Sequence, residues 1–352
     1  MDDRRRSEPA SPRLVETRPA PRLTLLCQPR QEQRQDLRAE VERGLSLSPK
    51  RLAPRFFYDE EWSRLFERIT ETPEYYPTRT EAALLRSFGA EIVQASFGRG
   101  EELPAGEAPA LVELGSGSSA KTRLLLDAYG AARPLTYVPI DVSAEAVHSF
   151  GAALLRDYPA LTIRGLVCDY RGAAEFLRAG PPGRRLFAFL GSSLGNYDLP
   201  DARDLLGLVR SAMGPRDRFL LGLDLKKEPA LLHAAYNDAA GVTAAFNLNL
   251  LARINRELGG HFELDRFAHV AFYDEAAGRI EMHLQSLQRQ VVRVDAIGRS
   301  YGFGRGERLH TENSYKYAPA DVDALLQGTG LALQRQWQDA RHWFALNLLG
   351  PA

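Results

Sequence analysis

Between Ala110 and Asp224, short apolar runs alternate with segments in which apolar residues recur every three or four positions. Ala110-Leu-Val-Glu-Leu114 passes into glycines and then into Lys121-Thr-Arg-Leu-Leu-Leu-Asp127, the pattern of strand, tight loop and helix. The strand signal returns at Thr136–Asp141, Leu161–Asp169, Arg185–Leu190 and Arg218–Asp224, with helical spacing from Ala144 to Tyr158 and from Ala202 to Met213. Strands alternating with helices predict a mainly parallel α/β sheet covered on both faces, in which ligands sit beyond the carboxyl ends of the strands.

The flanks read differently. Residues 1–22 mix Arg, Pro, Ser and Glu with few apolar residues, a composition that cannot offset the entropy of ordering, and are expected to be a disordered tail. Trp62, Leu65, Phe66 and Ile69 fall at helix spacing, as do Leu84, Leu85, Phe88 and Ile92, and 98–109 reads as a polar linker. After Asp224 comes a helix-rich stretch from Glu228 to Leu258, followed by strands around Ala268–Tyr273 and Arg279–Val294, the mark of an inserted α+β domain. Thr311–Tyr317, a helix over Pro319–Gly328 and paired strands at Leu331–Trp337 and Trp343–Leu348 then read as a return to the main sheet. The expected division is 1–22 tail, 23–80 N-terminal helical part of the main domain, 81–108 helix and linker contributing to a second domain, 109–225 Rossmann-like core, 226–316 substrate-binding insertion and 317–352 C-terminal return.

Composition narrows the function classes. Across 352 residues, 45 basic side chains balance 45 acidic ones, so no net field draws the protein to nucleic acid or to an anionic membrane. A small, locally recognised partner fits better. Cys27 and Cys168 stand too far apart for a CxxC-type metal site or a disulfide framework, no run of about 18 apolar residues appears, and Met1 is followed by Asp-Asp-Arg-Arg-Arg without a signal-like apolar stretch. The expectation is a cytoplasmic protein. His261 and His269 are eight apart while His310 and His342 are isolated, so no metal is expected.

The loop Glu113-Leu-Gly-Ser-Gly-Ser-Ser119 follows the first core strand. It lacks the spacing of a Walker loop and only partly matches a dinucleotide fingerprint. A nucleoside cofactor without phosphates needs glycines, here Gly115 and Gly117 around Ser116, that let the backbone approach, and a carboxylate at the next strand end for ribose hydroxyls. Asp141 stands there. Asp169, ending the third strand, is placed for an adenine amino group, and Asn196 after the fourth strand faces the space of a methyl acceptor, a set that suits S-adenosylmethionine. Singly, glycines after strands also make turns and strand-end aspartates also cap helices.

At this point the chain resembles the histidine Nα-methyltransferases of ergothioneine biosynthesis, from about Leu45 to Asn347. The carriers are Pro73-Glu-Tyr-Tyr-Pro-Thr-Arg-Thr-Glu81, Val112-Glu-Leu-Gly-Ser-Gly-Ser-Ser-Ala-Lys-Thr-Arg123, Pro139-Ile-Asp-Val142, Phe189-Leu-Gly-Ser-Ser-Leu-Gly-Asn196, Ala235-Tyr-Asn-Asp-Ala-Ala-Gly-Val-Thr-Ala-Ala-Phe-Asn247, Asn255-Arg-Glu-Leu258 and Thr311-Glu-Asn-Ser314. The resemblance implies a class I S-adenosylmethionine-dependent fold that converts L-histidine to hercynine. It implies cofactor contacts at Gly115, Lys121, Asp141, Asp169 and Tyr170, and a histidine pocket of Tyr75, Asn196, Tyr236, Glu312 and Ser314. Asn196 and Tyr236 would hold the amino acid head, Glu312 and Ser314 the imidazole, while Met282 lines the ring pocket and Tyr58 closes over the substrate.

The residue types agree with that chemistry. Methyl transfer is a direct displacement by an amine lone pair, so alignment and desolvation matter more than a nucleophile or a metal. The amine must lose a proton, to Tyr75 through water or to bulk solvent. Glu312 and Ser314, two apart, share one face if they lie on a strand, and a carboxylate with a hydroxyl can satisfy the two nitrogens of an imidazole. Departures from the family pattern are Asn313 and Tyr315, where many relatives carry an aliphatic residue and a cysteine, and Tyr197-Asp198 after the asparagine. Two other readings stay open: an Nα-methyltransferase for another aromatic amino acid, such as a tryptophan derivative, and a non-catalytic cofactor-binding module. A monomer is expected.

Overall fold

The computed structural model describes residues 14–28, 30–52, 60–98, 109–117, 119–180 and 183–352. Its centre is a nine-stranded sheet. The five core strands are β3 (Ala110–Leu114), β4 (Leu135–Asp141), β5 (Leu161–Val167), β6 (Arg185–Phe189) and β7 (Arg218–Asp224). They are flanked by β1 (Val15–Ala20) and β2 (Leu23–Cys27) on one side, and by β13 (Leu331–Gln338) and β14 (Phe344–Pro351) on the other. The order is β1-β2-β5-β4-β3-β6-β7-β14-β13. Strands β2 through β7 pair in parallel, whereas β14 runs antiparallel to β7, β13 to β14 and β1 to β2.

Two apolar clusters cover the faces of this sheet, which is why its strands read as continuous apolar runs rather than alternating ones. On one face lie α6 (Tyr170–Ala179), α7 (Leu199–Ala212) and α10 (Pro319–Leu326); on the other lie α3 (Tyr76–Phe97), α4 (Ala120–Tyr129) and α5 (Ala144–Asp157). The chain leaves β3 for β4 on one side and later reaches β6 on the other, so the crevice at the strand ends opens beside the loop after β3.

A second body packs α1 (Arg30–Ser46), α2 (Glu60–Glu71), α8 (Pro229–Ala235) and α9 (Val242–Leu258) against β8 (Phe267–Asp274), β9 (Arg279–Ser286) and β12 (Arg308–Tyr315), sheet order β12-β9-β8. A hairpin of β10 (Gln290–Val294) and β11 (Arg299–Phe303) completes it.

Several sequence expectations change. Residues 15–20, expected in a tail, form β1, whose backbone is satisfied by β2, and Leu23 and Leu25 of β2 are core residues. Leu37, Val41 and Leu45 of α1, with Leu65 and Ile69 of α2, bury themselves against the second body rather than the main domain. Conversely Leu84, Leu85, Ile92 and Val93 of α3 pack on the main sheet, not on the second domain. Amphipathic periodicity shows that a helix has an apolar face but not which partner covers it. Thr311–Tyr317, read as a return to the main sheet, lies mostly in β12 of the smaller sheet.

Candidate functional site

The loop after β3 turns sharply: Gly115 and Gly117 have φ of 69° and 50°, and Ser119, ahead of α4, has φ of 58°. A side chain on Gly115 would meet the Tyr170 hydroxyl at 3.2 Å, whereas beside Gly117 there is open space within 4 Å. The Gly115 amide donates to the Ile140 carbonyl, 2.9 Å, which clamps the loop to the end of β4. There Asp141 accepts from Ser116 Oγ at 3.3 Å and from the amides of Gly117 and Ser143 at 3.4 and 3.1 Å. Burial raises the Asp141 carboxyl above its ordinary pKa, against the hydrogen bonds it accepts.

Asp169 caps α6 through Oδ1, accepting from the Gly172 amide at 2.8 Å, and is exposed. Its helix-capping part is therefore real, and Oδ2 takes no part in the cap. The Tyr170 ring meets Phe189 edge-on at 5.8 Å. Gly115, Ser116, Gly117, Asp141 and Tyr170 thus come together at one rim, with Asp169 next to it. Carboxylate acceptors, a bare glycine backbone and an aromatic ring suit the hydroxyls, amino group and flat base of an adenosyl cofactor.

Lys121 is drawn away from solvent. Its ammonium lies 2.7 Å from Glu81 of α3, a carboxylate with no exposed surface that also accepts from the Gly191 amide at 2.8 and 2.9 Å. Gly191 and Ser192 both have positive φ, 80° and 58°, and lead into a 3-10 turn at Ser193–Asn196. That turn packs against β12: a side chain on Gly195 would strike the Tyr315 backbone oxygen at 2.9 Å.

The second cluster hangs on β12 and the start of α3. Tyr75 precedes α3 and meets the Tyr236 ring edge-on at 6.2 Å; Met282 packs with both and pairs across the strands with Glu312. Ser314 Oγ and Tyr236 OH are 2.7 Å apart. Among the described residues, no hydrogen-bond partner is present for the Tyr75 hydroxyl, the Asn196 amide or the Glu312 carboxyl group. Burial pushes Glu312 up to about 7, with the Lys316 ammonium working the other way. Burial, aided by Tyr236, also holds the Tyr75 phenol well above its ordinary range. Tyr58 lies outside the described residues.

Between the clusters sits a network that sequence reasoning missed. Asp224, buried at the end of β7, accepts from Tyr76 OH and from the ammonium groups of Lys227 and Lys316, the last at 2.9 Å. Lys316 also donates to Ser314 Oγ at 2.8 Å and Tyr236 OH at 3.1 Å. Burial works to raise the Asp224 carboxyl, but the two ammonium groups outweigh it and keep its pKa below the ordinary value. The signals existed: Asp224 ends a core strand as Asp141 does, Glu81 closes the tyrosine-proline motif, and Lys316 continues the two-residue spacing of Glu312 and Ser314.

Residues 37–351 match the family described as "Histidine-specific methyltransferase, SAM-dependent". The chain is 45% identical over 314 residues to the histidine N-alpha-methyltransferase of Mycolicibacterium smegmatis, covering 89% of this chain and 94% of that one. It is 44% identical to the enzyme of the same name from Mycobacterium tuberculosis, with the same coverage of 89% and 94%. The ergothioneine biosynthesis protein 1 of Neurospora crassa is 32% identical over 86% of this chain, a match that spans 33% of that longer protein. With a match running from α1 to the last strand, the chain belongs to the family of histidine-specific, S-adenosylmethionine-dependent methyltransferases.

Proposed function

We propose that this methyltransferase transfers three methyl groups to the α-amine of L-histidine, giving hercynine and S-adenosylhomocysteine, as a cytoplasmic monomer with no nucleic-acid or membrane partner. The observation that carries the reading is the cluster of Tyr75, Tyr236 and Met282 with Glu312 paired across the strands from Met282, in which the Tyr75 hydroxyl and the Glu312 carboxyl group have no hydrogen-bond partner among the described residues. Polar groups that keep free donors and acceptors in this way can complete their hydrogen bonds on a ligand.

When bound, S-adenosylmethionine supplies an electrophilic methyl on sulfur. Gly115, Ser116, Gly117, Asp141, Asp169 and Tyr170 would hold it, with Lys121 bracing the rim through Glu81. The protein's own part is binding, alignment and proton release. Asn196 and Tyr236 orient the amino acid head, and Glu312 and Ser314 take the imidazole. Burial raises the Tyr75 phenol well above its ordinary range, so Tyr75 acts as a neutral hydrogen-bonding group, and the amine's proton leaves through water held by Tyr75 or directly to bulk solvent. The faces of Tyr75 and Tyr236 suit the quaternary ammonium that a third transfer creates.

The test is mass spectrometry of each standard amino acid after incubation with enzyme and S-adenosylmethionine. A gain of three methyl groups on histidine alone supports the reading; methylation of tryptophan but not histidine, or cofactor binding by calorimetry with no turnover, would replace it. Asn196→Ala and Glu312→Ala should each lower kcat/KM for histidine about 100-fold, the loss of one hydrogen bond to a charged group, with cofactor affinity unchanged. Full activity in both variants would show the pocket to be wrong.

A further inference from the structure

We propose that Lys316 is a positioning residue that fills one lone pair on each of the Tyr236 and Ser314 hydroxyls and so, with Tyr236 donating the bond between them, makes Ser314 an obligate donor toward the pocket. This rests on the histidine reading above and deepens it.

The proton count carries the case. An ammonium has three N–H groups and no lone pair, so it only donates. Lys316 spends all three, on Asp224 Oδ2 at 2.9 Å, Ser314 Oγ at 2.8 Å and Tyr236 OH at 3.1 Å. Both hydroxyls therefore accept one bond from the same cation. One of their two protons lies in the 2.7 Å bond between them. The hydroxyl that receives it has both lone pairs filled and can only donate outward; the hydroxyl that gives it can only accept. A phenol is the stronger donor, so Tyr236 gives and Ser314 receives.

The pocket then offers an outward donor at Ser314 and an outward acceptor at Tyr236. Glu312, two residues along β12 and on the same face, is the second acceptor. An imidazole fits this set in one form: a bare nitrogen toward Ser314 and an N–H toward the Glu312 carboxylate. An indole has no bare nitrogen to offer, so the same polarity discriminates against it. Asp224 anchors Lys316 from the main sheet, and the division into outward donor and outward acceptor thereby depends on the contact between the two bodies of the fold.

Lys316→Met leaves Asp224 paired with Lys227, a neutral buried pair, so the fold is expected to survive. The experiment is a double-mutant cycle with Ser314→Ala, reading kcat and KM for histidine together with calorimetric affinity for S-adenosylmethionine. In the parent, Ser314→Ala should raise KM about tenfold, the size of one hydrogen bond; in the Lys316→Met background the same change should cost less than about twofold, with kcat and cofactor affinity nearly constant. Equal costs in both backgrounds overturn the proposal. If Lys316→Met no longer binds the cofactor, the cycle is repeated in Lys316→Gln with the same criteria, and loss of cofactor binding in both assigns Lys316 a purely structural part, which also overturns it. Should the parent methylate a different amino acid, the histidine reading fails, and the cycle run on that substrate still decides the role of Lys316.

Discussion

The Lys121 ammonium lies 2.7 Å from the fully buried Glu81 carboxylate, and this pair joins the first turn of α4 to α3 directly beneath the strained Gly191-Ser192 turn. Removing only the anion would leave the lysine and the Gly191 amide without their acceptor. Glu81→Ala should cost about 3–5 kcal/mol, as for other broken buried pairs, and is read as a lower urea midpoint and Tm. A variant within 1 °C of the parent would show the pair to be dispensable.

Burial that raises the Glu312 carboxyl to about 7 makes stability depend on pH. The folded protein holds this proton more tightly than the unfolded chain, where the value is 4.5. The stabilisation is thus complete below about 4.5 and is lost as pH rises through about 7. In the absence of ligands Glu312→Gln should raise Tm at pH 8 by a few degrees and change it little at pH 4.5. Thermal scans at the two pH values check the sign, and an equal shift at both would contradict the assignment.

Asp141 is proposed to meet the cofactor's ribose. Asp141→Asn keeps the loop contacts near isosteric but weakens a charged hydrogen bond, so cofactor affinity should fall roughly 10–100-fold. Calorimetry measures it. A fall in Tm with unchanged affinity would mean that Asp141 only braces Ser116 and Gly117.

At Gly195 the constraint is space. An added methyl group would sit 2.9 Å from the Tyr315 oxygen and 3.1 Å from its nitrogen, both backbone atoms that cannot yield alone. Gly195→Ala should cost about 1–3 kcal/mol and, by displacing Asn196, raise KM for histidine more than it lowers cofactor affinity. A stability loss with unchanged KM would separate the turn from the pocket.

Three of the four residues that depart from the family pattern also find one another. Asp198 Oδ1 accepts from Asn313 Nδ2 at 3.2 Å and from Tyr315 OH at 2.8 Å, while Arg279 pairs with Asp198 at 3.3 Å. They fasten the turn carrying Asn196 to β12. In the sequence they read as separate oddities 115 and 117 positions away from Asp198, with nothing to link them.

What the sequence by itself determined is the alternation of strands and helices from Ala110 to Asp224 and the glycine loop with Asp141 and Asp169 at successive strand ends. Those are local facts: apolar periods, positive-φ glycines and strand-end carboxylates each need only a few neighbouring residues to be read. Tertiary structure alone decided that β1 joins the sheet, that α1 and α2 serve the second body while α3 serves the first, and that Glu81, Asp224 and Lys316 bind the two clusters together. Each of those outcomes depends on which surface meets an apolar face or which charge meets a buried one, across gaps of 40 residues for Glu81–Lys121 and 148 for Tyr76–Asp224. Periodicity along the chain carries no record of partners at that range.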